Sequence, residues 1–279
     1  MITINGKKVD IGGFPDGTLL LKQEPPLLQR AFIRWEYEDD REFLALIYLV
    51  KHLRAGGTEN IHLDMPYIPN ARMDRVKNDE DVFTLKYFAE LLNTLKLTSV
   101  TVLDPHSSVS EALIDNLTVR SPEAYINAVL RNINGEPRAC IASDVNGDRC
   151  ETIYPVTMFY PDEGAMKRYS GMISLPYTFG IKSRDFGTGK ILGLDVVGET
   201  DKITGKNILI VDDICSRGGT FLHSAKKLKE LGANKIYLYV THCENTILDG
   251  ELLNGDLIEK VFTTDSIFTK RHEKIEVLR

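Results

Sequence analysis

The residues best suited to chemistry lie in one short stretch, Val211 to Thr220, which reads VDDICSRGGT. Two acids, Asp212 and Asp213, directly follow an uncharged run, and a diglycine, Gly218-Gly219, precedes a helical pattern. Glycines let backbone N–H groups converge on an anion at a helix N-terminus, and the hydroxyl of Thr220 can add a donor. Adjacent carboxylates would repel a phosphate unless they hold the hydroxyls of a sugar that carries it. The pattern therefore favours a sugar-phosphate site, although an ordinary strand–turn–helix with Ser216 as N-cap is the structural alternative.

The elements around this stretch predict a compact βαβ unit. Asn207 to Val211 (NILIV) reads as a strand, Ile214 to Thr220 as a loop, and Lys235 to Thr241 as the next strand. Between them a helix presents Phe221, Ala225, Leu228 and Leu231 on one face, and Gly232 is placed to cap its C-terminus. In an open parallel sheet, ligands bind beyond the carboxyl ends of the strands, which is where the two acids lie.

The first half of the chain shows the same alternation of helices and strands. Helices are predicted over Asp40 to Leu53, ending at Gly56-Gly57, and over about Asp81 to Leu95. Strands are predicted over Ile61 to Met65 and Ser99 to Leu103. The alternation indicates an α/β fold with mostly parallel sheets flanked by helices. We place a domain boundary after residue 125, giving domains 1–125 and 126–279, and expect a turn or loop within Asn132 to Arg149.

Composition excludes several functional classes. The chain has 279 residues, a net charge of −6, 43% apolar and 27% charged residues, which is typical of a soluble globular protein. No basic stripe predicts nucleic-acid binding, and Met1 to Leu20 carries charges that do not fit a signal peptide. No apolar run is long enough to span a membrane. The four cysteines form no CxxC pair, so we expect reduced thiols and a cytoplasmic protein.

Several segments, in order along the chain, resemble those of the ribose-phosphate diphosphokinase (PRPP synthetase) family, which has the type I phosphoribosyltransferase fold. The stretch around Asp212 is similar to that fold's motif for phosphoribosyl diphosphate (PRPP). In the first half, Phe14-Pro15-Asp16-Gly17 resembles the family's FxDGE segment, residues 65–75 resemble PYxxYARQDR, and residues 103–106 resemble LDLH. In the second half, residues 160–165 resemble SPDxGG, and Lys182-Ser183-Arg184 falls where the family has a mobile KxR loop. Thr241-His242 resembles ATH, and Thr264-Asp265-Ser266 resembles TD[ST]. The resemblance implies two tandem phosphoribosyltransferase-like domains, an ATP side in 1–125 and a ribose-phosphate loop in 126–279.

The resemblance also implies a reaction, transfer of the β,γ-diphosphoryl group of Mg-ATP to the C1 hydroxyl of ribose 5-phosphate, which gives PRPP and AMP. Lys182 and Arg184 would close over the transferring group. His106 and Asp162 match family positions that hold Mg²⁺. The ATP side would be formed by Phe14, Asp16, Arg72, Asp74 and His106, and the ribose-phosphate side by Asp212, Asp213, Ser216, Arg217, Gly218, Gly219 and Thr220.

Each of these residues has a simpler interpretation. His106 could be a satisfied strand-end histidine, and Asp162 could be a turn residue. Arg72 and Arg75 could pair with neighbouring acids at the surface. Lys182 and Arg184 lie in a polar segment, KSRDFGTGK, that could be a solvated loop. Their joint occurrence in the family's order favours the functional interpretation.

The chain departs from the family pattern at three informative positions. Thr18 and Met73 replace a Glu and a Gln on the nucleotide side, and the loop that usually reads DTGGT here reads Ser216-Arg217-Gly218-Gly219-Thr220. Arg217 adds a planar cation beside the 5-phosphate position, where it could bind a monophosphate or a second phosphate on a longer 5′ substituent. ADP-ribose has a free C1 hydroxyl and a 5′ diphosphate, so it is the alternative acceptor. The chain ends at Arg279, before the family's usual last helix, and we expect a homodimer.

Two further functions compete with the diphosphokinase. A phosphoribosyltransferase that consumes PRPP would account for the residues around Asp212, but it would not need the matches at Phe14, Arg72 and His106. An inactive regulatory homologue of the synthetases would be favoured by loss of the loop cations or of the metal-binding positions, and these residues are all present.

Overall fold

The computed structural model describes residues 1–24, 29–134, 156–184 and 191–279, with the backbone alone at 182–184 and 191–192. These residues form two compact units, Met1–Ser121 and Pro122–Arg279. The boundary predicted after residue 125 lies inside the helix Glu123–Asn134, which belongs to the second unit. In the described ranges, no helix is both long enough and apolar enough to cross a membrane.

The first unit contains a six-stranded sheet and a separate two-stranded hairpin. Its strands are β1 (Ile2–Ile4), β2 (Lys7–Lys8), β3 (Asp10–Gly13), β4 (Leu19–Lys22), β5 (Arg30–Trp35), β6 (Asn60–Asp64), β7 (Ser99–Leu103) and β8 (Leu117–Arg120), and its helices are α1 (Asp40–Ala55), α2 (Thr84–Asn93) and α3 (Val109–Leu113). The sheet order is β2-β1-β5-β6-β7-β8, and the strands from β5 to β8 are parallel. β3 and β4 form the hairpin.

The helix α1 forms where the sequence predicts a helix. The Asp39 carboxylate caps its first turn by accepting hydrogen bonds from the backbone N–H groups of Arg41 and Glu42. Leu46 and Leu53, which are fully buried, pack into the core of this unit with the equally buried Trp35 of β5. The apolar positions that predicted this face agree only in part, because Leu49 and Val50 are buried whereas Leu44 is 43% exposed.

The helix α2 is shorter than predicted. It begins at Thr84 rather than Asp81 and ends at Asn93 rather than Leu95. The Asp81 carboxylate instead accepts hydrogen bonds from the backbone N–H groups of Lys77 and Asn78, at 2.9 and 3.0 Å. This closes a turn before the helix, so Asp81 acts in the loop and not in the first helical turn.

The second unit is built on a seven-stranded sheet of order β11-β10-β9-β12-β13-β14-β15. Its strands are β9 (Val156–Tyr160), β10 (Tyr177–Arg184), β11 (Ile191–Gly198), β12 (Asn207–Cys215), β13 (Ile236–Cys243), β14 (Lys260–Thr264) and β15 (Ile275–Leu278), and its helices are α4 (Glu123–Asn134), α5 (Glu163–Tyr169) and α6 (Gly219–Glu230), with short 3₁₀ turns at Thr200–Lys202 and Asn245–Asp249. All neighbouring strands are parallel except β10 and β11. Both units confirm the predicted α/β class.

The central position of β12 in the sheet explains why the first part of the strand is uncharged. Successive side chains of a strand point to opposite faces, and Leu209 and Val211 pack in one buried cluster while Ile208 and Ile210 pack in another. A strand covered on both faces carries apolar residues continuously. The strand also runs further than predicted, because its pairing with β13 continues to Cys215.

The predicted loop from Ile214 to Thr220 is correspondingly shorter in the structure. Ile214 and Cys215 belong to β12, and Gly219 and Thr220 belong to α6. Only 216–218 remain between the two elements.

Lys182 and Arg184 lie in a different element from the one predicted. Their backbone forms the end of β10, with Lys182 opposite Leu194 and Arg184 opposite Ile191 of the antiparallel strand β11. The rest of the predicted polar loop, 185–190, lies outside the described residues. The two cations therefore belong to a β-hairpin rather than to a loop.

Candidate active site

The loop between β12 and α6 leaves an open approach to the first turn of the helix. Gly218 is the N-cap residue and has φ +78°, a left-handed conformation that favours glycine. Because glycine has no side chain, it donates no cap to the backbone N–H groups of the first turn of α6. A Cβ atom placed on Gly219 would meet no neighbouring protein atom within 4 Å, so the space in front of this residue is open. Backbone N–H groups at a helix N-terminus with open space before them can bind an anion.

This loop is held from behind by the segment that follows β13. A Cβ atom on Gly250 would overlap the carbonyl oxygen of Arg217 and lie 2.9 Å from its carbonyl carbon, so the two backbones are in direct contact. A Cβ atom on Gly218 would lie 2.8 Å from the side chain of Leu252. The 217–218 backbone therefore rests on a second backbone segment, which fixes its position.

A hydrogen-bond chain adds to this support. The hydroxyls of Ser216 and Thr246 are 3.2 Å apart, and the Thr246 hydroxyl donates to the Glu244 carboxylate at 3.0 Å. The backbone N–H of Glu244 donates to the carbonyl of Cys215 at 2.8 Å. Ser216 is thus not the N-cap that the structural alternative assumed. Its hydroxyl is directed towards the supporting segment.

The acid pair lies at the end of the buried part of β12. Asp213 is 5% exposed, and Asp212 is partly buried. Burial, followed by the neighbouring carboxylates of Asp213 and Asp162, raises the pKa of Asp212 well above its ordinary value. Asp162 reaches this region as the N-cap of α5, where its carboxylate accepts a hydrogen bond from the backbone N–H of Ala165 at 3.1 Å. Three predicted carboxylates are therefore close enough to interact.

Arg217 presents its side chain to solvent at the same loop. It is exposed, and its guanidinium makes no hydrogen bond or ion pair with another residue in the described part of the chain. Thr220 follows in the first turn of α6 and is partly buried. Arg217 is therefore positioned to meet an anion that enters beyond the helix N-terminus.

The cysteines near the loop are structural. Cys215 and Cys243 are fully buried, free, and paired in register on β12 and β13. A hydrogen bond between the Cys215 thiol and Cys243, together with burial, raises the pKa of the Cys215 thiol. The Cys215 thiol is thus held protonated. Cys140 and Cys150 lie outside the described residues.

The first unit brings a second group of predicted residues together beyond the parallel strands β6 and β7. The Arg75 guanidinium donates two hydrogen bonds to the Asp74 carboxylate, at 2.8 and 3.1 Å. This interaction lowers the pKa of Asp74, and His106 contributes in the same direction. Asp74 is only 4% exposed, so its carboxylate is engaged within the protein. The ion pair supports the loop, and contact between Asp74 and ATP stays a prediction.

Arg72 and His106 lie in the same region. Arg72 is exposed, and His106 is partly buried just after β7. Asp104, two residues earlier, has φ +43° and donates its backbone N–H to the carbonyl of Arg120 at 3.1 Å. A non-glycine residue in this conformation before a proline is strained, and such strain is typical of functional loops. The turn at Asp104 sets the direction in which the chain presents His106.

Phe14 and Asp16 lie in the turn between β3 and β4. The Phe14 ring is 50% exposed. The Asp16 carboxylate accepts hydrogen bonds from the backbone N–H and the hydroxyl of Thr18, at 3.0 and 2.7 Å, and these bonds lower its pKa. Thr18, which replaces a family Glu, therefore stabilises the turn. Phe14 presents an exposed ring that a base could stack on.

The structure also shows contacts that sequence reasoning missed. Arg168, on α5, lies with its Nη1 3.4 Å from Oδ2 of Asp213, and Gly250 and Thr246 support the loop from the opposite side. None of these residues is marked by a local motif, because their partners are distant in sequence. His106 and Asp162, which both match positions predicted to hold Mg²⁺, belong to different units.

Comparison with known proteins adds evidence from outside the chain. Residues 190–278 match the model of the phosphoribosyl synthetase-associated domain. The chain is 27% identical over 243 residues to the ribose-phosphate pyrophosphokinase of Thermococcus kodakarensis, covering 84% of this chain and 77% of the relative. It is 26% identical over 243 residues to that of Bacillus subtilis, covering 85% and 69%.

A solved structure shows the same fold over nearly the whole chain. The phosphoribosylpyrophosphate synthetase of Mycobacterium smegmatis superposes with a TM-score of 0.76 and 18% identity, covering 97% of this chain and 85% of that chain. At this identity the likeness concerns the fold, while the sequence matches to the pyrophosphokinases extend across both units. With the motifs in the same order along the chain, the chain is similar over most of its length to the ribose-phosphate pyrophosphokinases, which are transferase enzymes.

Proposed function

We propose that this protein transfers the β,γ-diphosphoryl group of Mg-ATP to the C1 hydroxyl of ribose 5-phosphate, giving PRPP and AMP. Similarity to the ribose-phosphate pyrophosphokinases supports the reaction type, and the second unit supports the acceptor. Transfer of this kind needs positioning and neutralisation of charge more than covalent catalysis. In this proposal, residues of both units position the substrates and neutralise their charge.

The observation that carries the proposal is the open loop at Gly219 beside the acid pair. The N–H groups of the first turn of α6 bind the 5-phosphate in the open space before Gly219, with Thr220 as an additional donor. Asp212 and Asp213, on the preceding strand, accept hydrogen bonds from the ribose hydroxyls. A phosphate-binding turn next to two carboxylates that can accept hydrogen bonds from hydroxyl groups fits a sugar phosphate and does not fit a simple anion.

The first unit supplies the nucleotide side in this proposal. The exposed Arg72 contacts the phosphates of ATP, and the exposed ring of Phe14 stacks on the adenine. Asp74 contributes indirectly, since its carboxylate is held by Arg75. Asp16 contributes through the turn that it closes with Thr18. These roles remain predictions.

Magnesium enters the proposal with the nucleotide. No group of three or more His, Cys, Asp or Glu residues that could hold a metal is formed by the described residues. Mg²⁺ keeps several waters and commonly binds one or two protein ligands plus substrate phosphates, so a complete protein site is not required. His106 and Asp162 are the proposed protein ligands, and Mg²⁺ would neutralise charge on the phosphates.

Lys182 and Arg184 provide the remaining cations. Their backbone positions at the end of β10, immediately before 185–190, put both near the end of a hairpin. We assign them to stabilisation of charge on the transferring diphosphoryl group, as the family resemblance implies.

The reaction is tested by AMP release from Mg-ATP with ribose 5-phosphate, with mass spectrometry of the sugar product. Formation of AMP together with a diphosphate added to the sugar is the expected result. Consumption of PRPP in the presence of a base would favour the transferase function instead. Absence of any reaction would favour the regulatory homologue.

The exposed, unengaged guanidinium of Arg217 favours a second acceptor, ADP-ribose. A cation beyond the helix N-terminus can contact the second phosphate of a 5′ diphosphate, which ribose 5-phosphate lacks. The same assay with ADP-ribose, using the wild type, Arg217→Thr and the control Lys226→Thr, separates the two acceptors. Lys226 is exposed on α6, about two turns from the loop.

Under the ADP-ribose hypothesis, Arg217→Thr lowers kcat/KM for ADP-ribose by about tenfold, the effect of one charge-assisted hydrogen bond, and changes that for ribose 5-phosphate less. An equal decrease for both acceptors would show that Arg217 contacts the first phosphate. No change for either would show that Arg217 does not contact the 5′ end of the substrate. Lys226→Thr is expected to behave as the wild type.

A further inference from the structure

The acid pair of β12 creates an electrostatic problem that the sequence motif does not solve. Asp212 and Asp213 are adjacent on β12, and Asp162 lies at the start of α5, which packs next to this strand. Like charges in a partly buried region repel each other and displace their side chains unless a cation compensates. Two carboxylates that must face one sugar therefore need a fixed positive partner.

Arg168 is placed to be that partner. Its Nη1 lies 3.4 Å from Oδ2 of Asp213, and the two side chains are 23% and 7% exposed, so the ion pair is largely removed from water. The guanidinium carbon also lies 5.6 Å from the centre of the Tyr169 ring. Tyr169 is fully buried and stacks on Tyr160 at a centroid distance of 6.3 Å. A buried aromatic ring on one side and a carboxylate on the other restrict the orientation of the guanidinium.

The same short helix also fixes the third carboxylate. Asp162 is the N-cap of α5, and its side chain accepts the backbone N–H of Ala165. Arg168 lies in the last turn of this helix. The helix thus sets the positions of one acid and of the cation together, relative to the end of β12.

We propose that Arg168 is a positioning residue for the sugar-binding acids, an inference that rests on the proposed function. It holds the Asp213 carboxylate in one orientation, and through Asp213 it keeps Asp212 beside it, so that both present oxygens to the sugar hydroxyls. Arg168 does not itself contact the substrate. Its loss therefore affects the sugar and leaves the nucleotide side unchanged.

The first test compares Arg168→Met, Arg168→Lys and Lys167→Met in steady-state kinetics. Lys167 is the matched control, because it is the adjacent residue on α5, is 69% exposed, and pairs with Glu163 at 2.7 Å. Arg168→Met is expected to raise KM for the sugar phosphate by about tenfold or more, the scale of a broken, partly buried ion pair. KM for ATP is expected to stay within about twofold. Arg168→Lys should recover part of the loss, since it restores the charge without the planar fork.

A merely structural role would give a different pattern. If Arg168→Met raised KM for ATP as much as KM for the sugar phosphate, or if Arg168→Lys gave no recovery, Arg168 would stabilise the unit without positioning the acids. Unchanged KM for the sugar phosphate in Arg168→Met would overturn the proposal directly.

A second measurement separates this inference from the proposed function. Urea unfolding of the wild type, Arg168→Met, Asp213→Asn and the double variant forms a double-mutant cycle that does not depend on activity. Coupling of about fivefold or more in the unfolding equilibrium constant is expected for the partners of an ion pair. Additive effects would overturn the contact itself. If the wild type acted on neither ribose 5-phosphate nor ADP-ribose, the proposed function would fail, and this cycle would still decide the role of Arg168 towards Asp213.

Discussion

Substitution of Gly219 by alanine separates binding from stability at the sugar-phosphate loop. The added Cβ atom meets no neighbouring protein atom within 4 Å, and Gly219 does not need the left-handed conformation that Gly218 has. The fold therefore accepts the methyl group. Because alanine restricts the unfolded chain more than glycine, we expect the free energy of unfolding to stay the same or to rise by up to about 1 kcal/mol.

The same methyl group occupies the space that we assign to the 5-phosphate. A phosphate oxygen that accepts the Gly219 N–H at about 2.9 Å has to move away or lose this bond. Loss of one hydrogen bond to a charged group costs about 1.5–3 kcal/mol. This corresponds to sugar-phosphate binding that is about 10- to 100-fold weaker.

The measurement combines isothermal titration with ribose 5-phosphate and ADP-ribose, titration with Mg-ATP, and urea unfolding. Gly171→Ala is the matched control, because Gly171 is exposed, its added Cβ atom also meets nothing within 4 Å, and it lies outside the loop. We expect weaker sugar-phosphate binding in Gly219→Ala alone, with unchanged Mg-ATP binding. Sugar-phosphate affinity equal to that of the wild type would refute the assignment of the phosphate to this space. A loss of stability would refute the reasoning from the open geometry.

Three further predictions concern the support of the site and the core. Gly250→Ala forces the Arg217 backbone to move by about 1 Å, so we expect kcat/KM for the sugar phosphate to fall about 100-fold with smaller changes in ATP binding. A kcat/KM for the sugar phosphate equal to that of the wild type in steady-state kinetics would contradict this. Lys182→Ala and Arg184→Ala are each expected to lower kcat by about two orders of magnitude or more with little change in ATP affinity, since they act on the transferring group; near-normal turnover in both would remove this role. The Glu42 carboxylate accepts hydrogen bonds from the Trp35 indole N–H at 3.0 Å and from the Glu38 backbone N–H at 2.9 Å. Glu42→Leu removes this acceptor, and we expect the free energy of unfolding in urea to fall by about 2–4 kcal/mol. A change below about 0.5 kcal/mol would show that water replaces the carboxylate.

Local patterns predicted most of the elements that carry the site. The uncharged run from Asn207 to Val211 had to be a strand covered on both faces, and the helix after Gly219 had a clear apolar stripe. The acid pair and the diglycine can be recognised from the sequence, because the anion and hydroxyl binding predicted for them requires residues that are close together in the chain. The structure places all of them at one end of one strand and the helix that follows it.

Contacts between distant residues could not be predicted in this way. Arg168 and Asp213 form an ion pair at 3.4 Å although they lie on different elements, α5 and β12, and share no motif. Lys182 and Arg184 were predicted in a loop because their segment is polar, yet an antiparallel hairpin near a sheet edge accepts polar residues as well. Homodimer formation and a cytoplasmic location remain predictions, as does the binding of Mg²⁺ by His106 and by Asp162.

The contact between Gly250 and the backbone of Arg217 has a consequence for how acceptor preference can change during evolution. The loop takes its shape from backbone contacts behind it, while the Arg217 side chain is exposed and unengaged among the described residues. A substitution at residue 217 can therefore alter the charge and the length of this exposed side chain without disturbing the fold. Under the proposed function, variation at this single position gives the scaffold a route to new sugar-phosphate acceptors at almost no cost in stability.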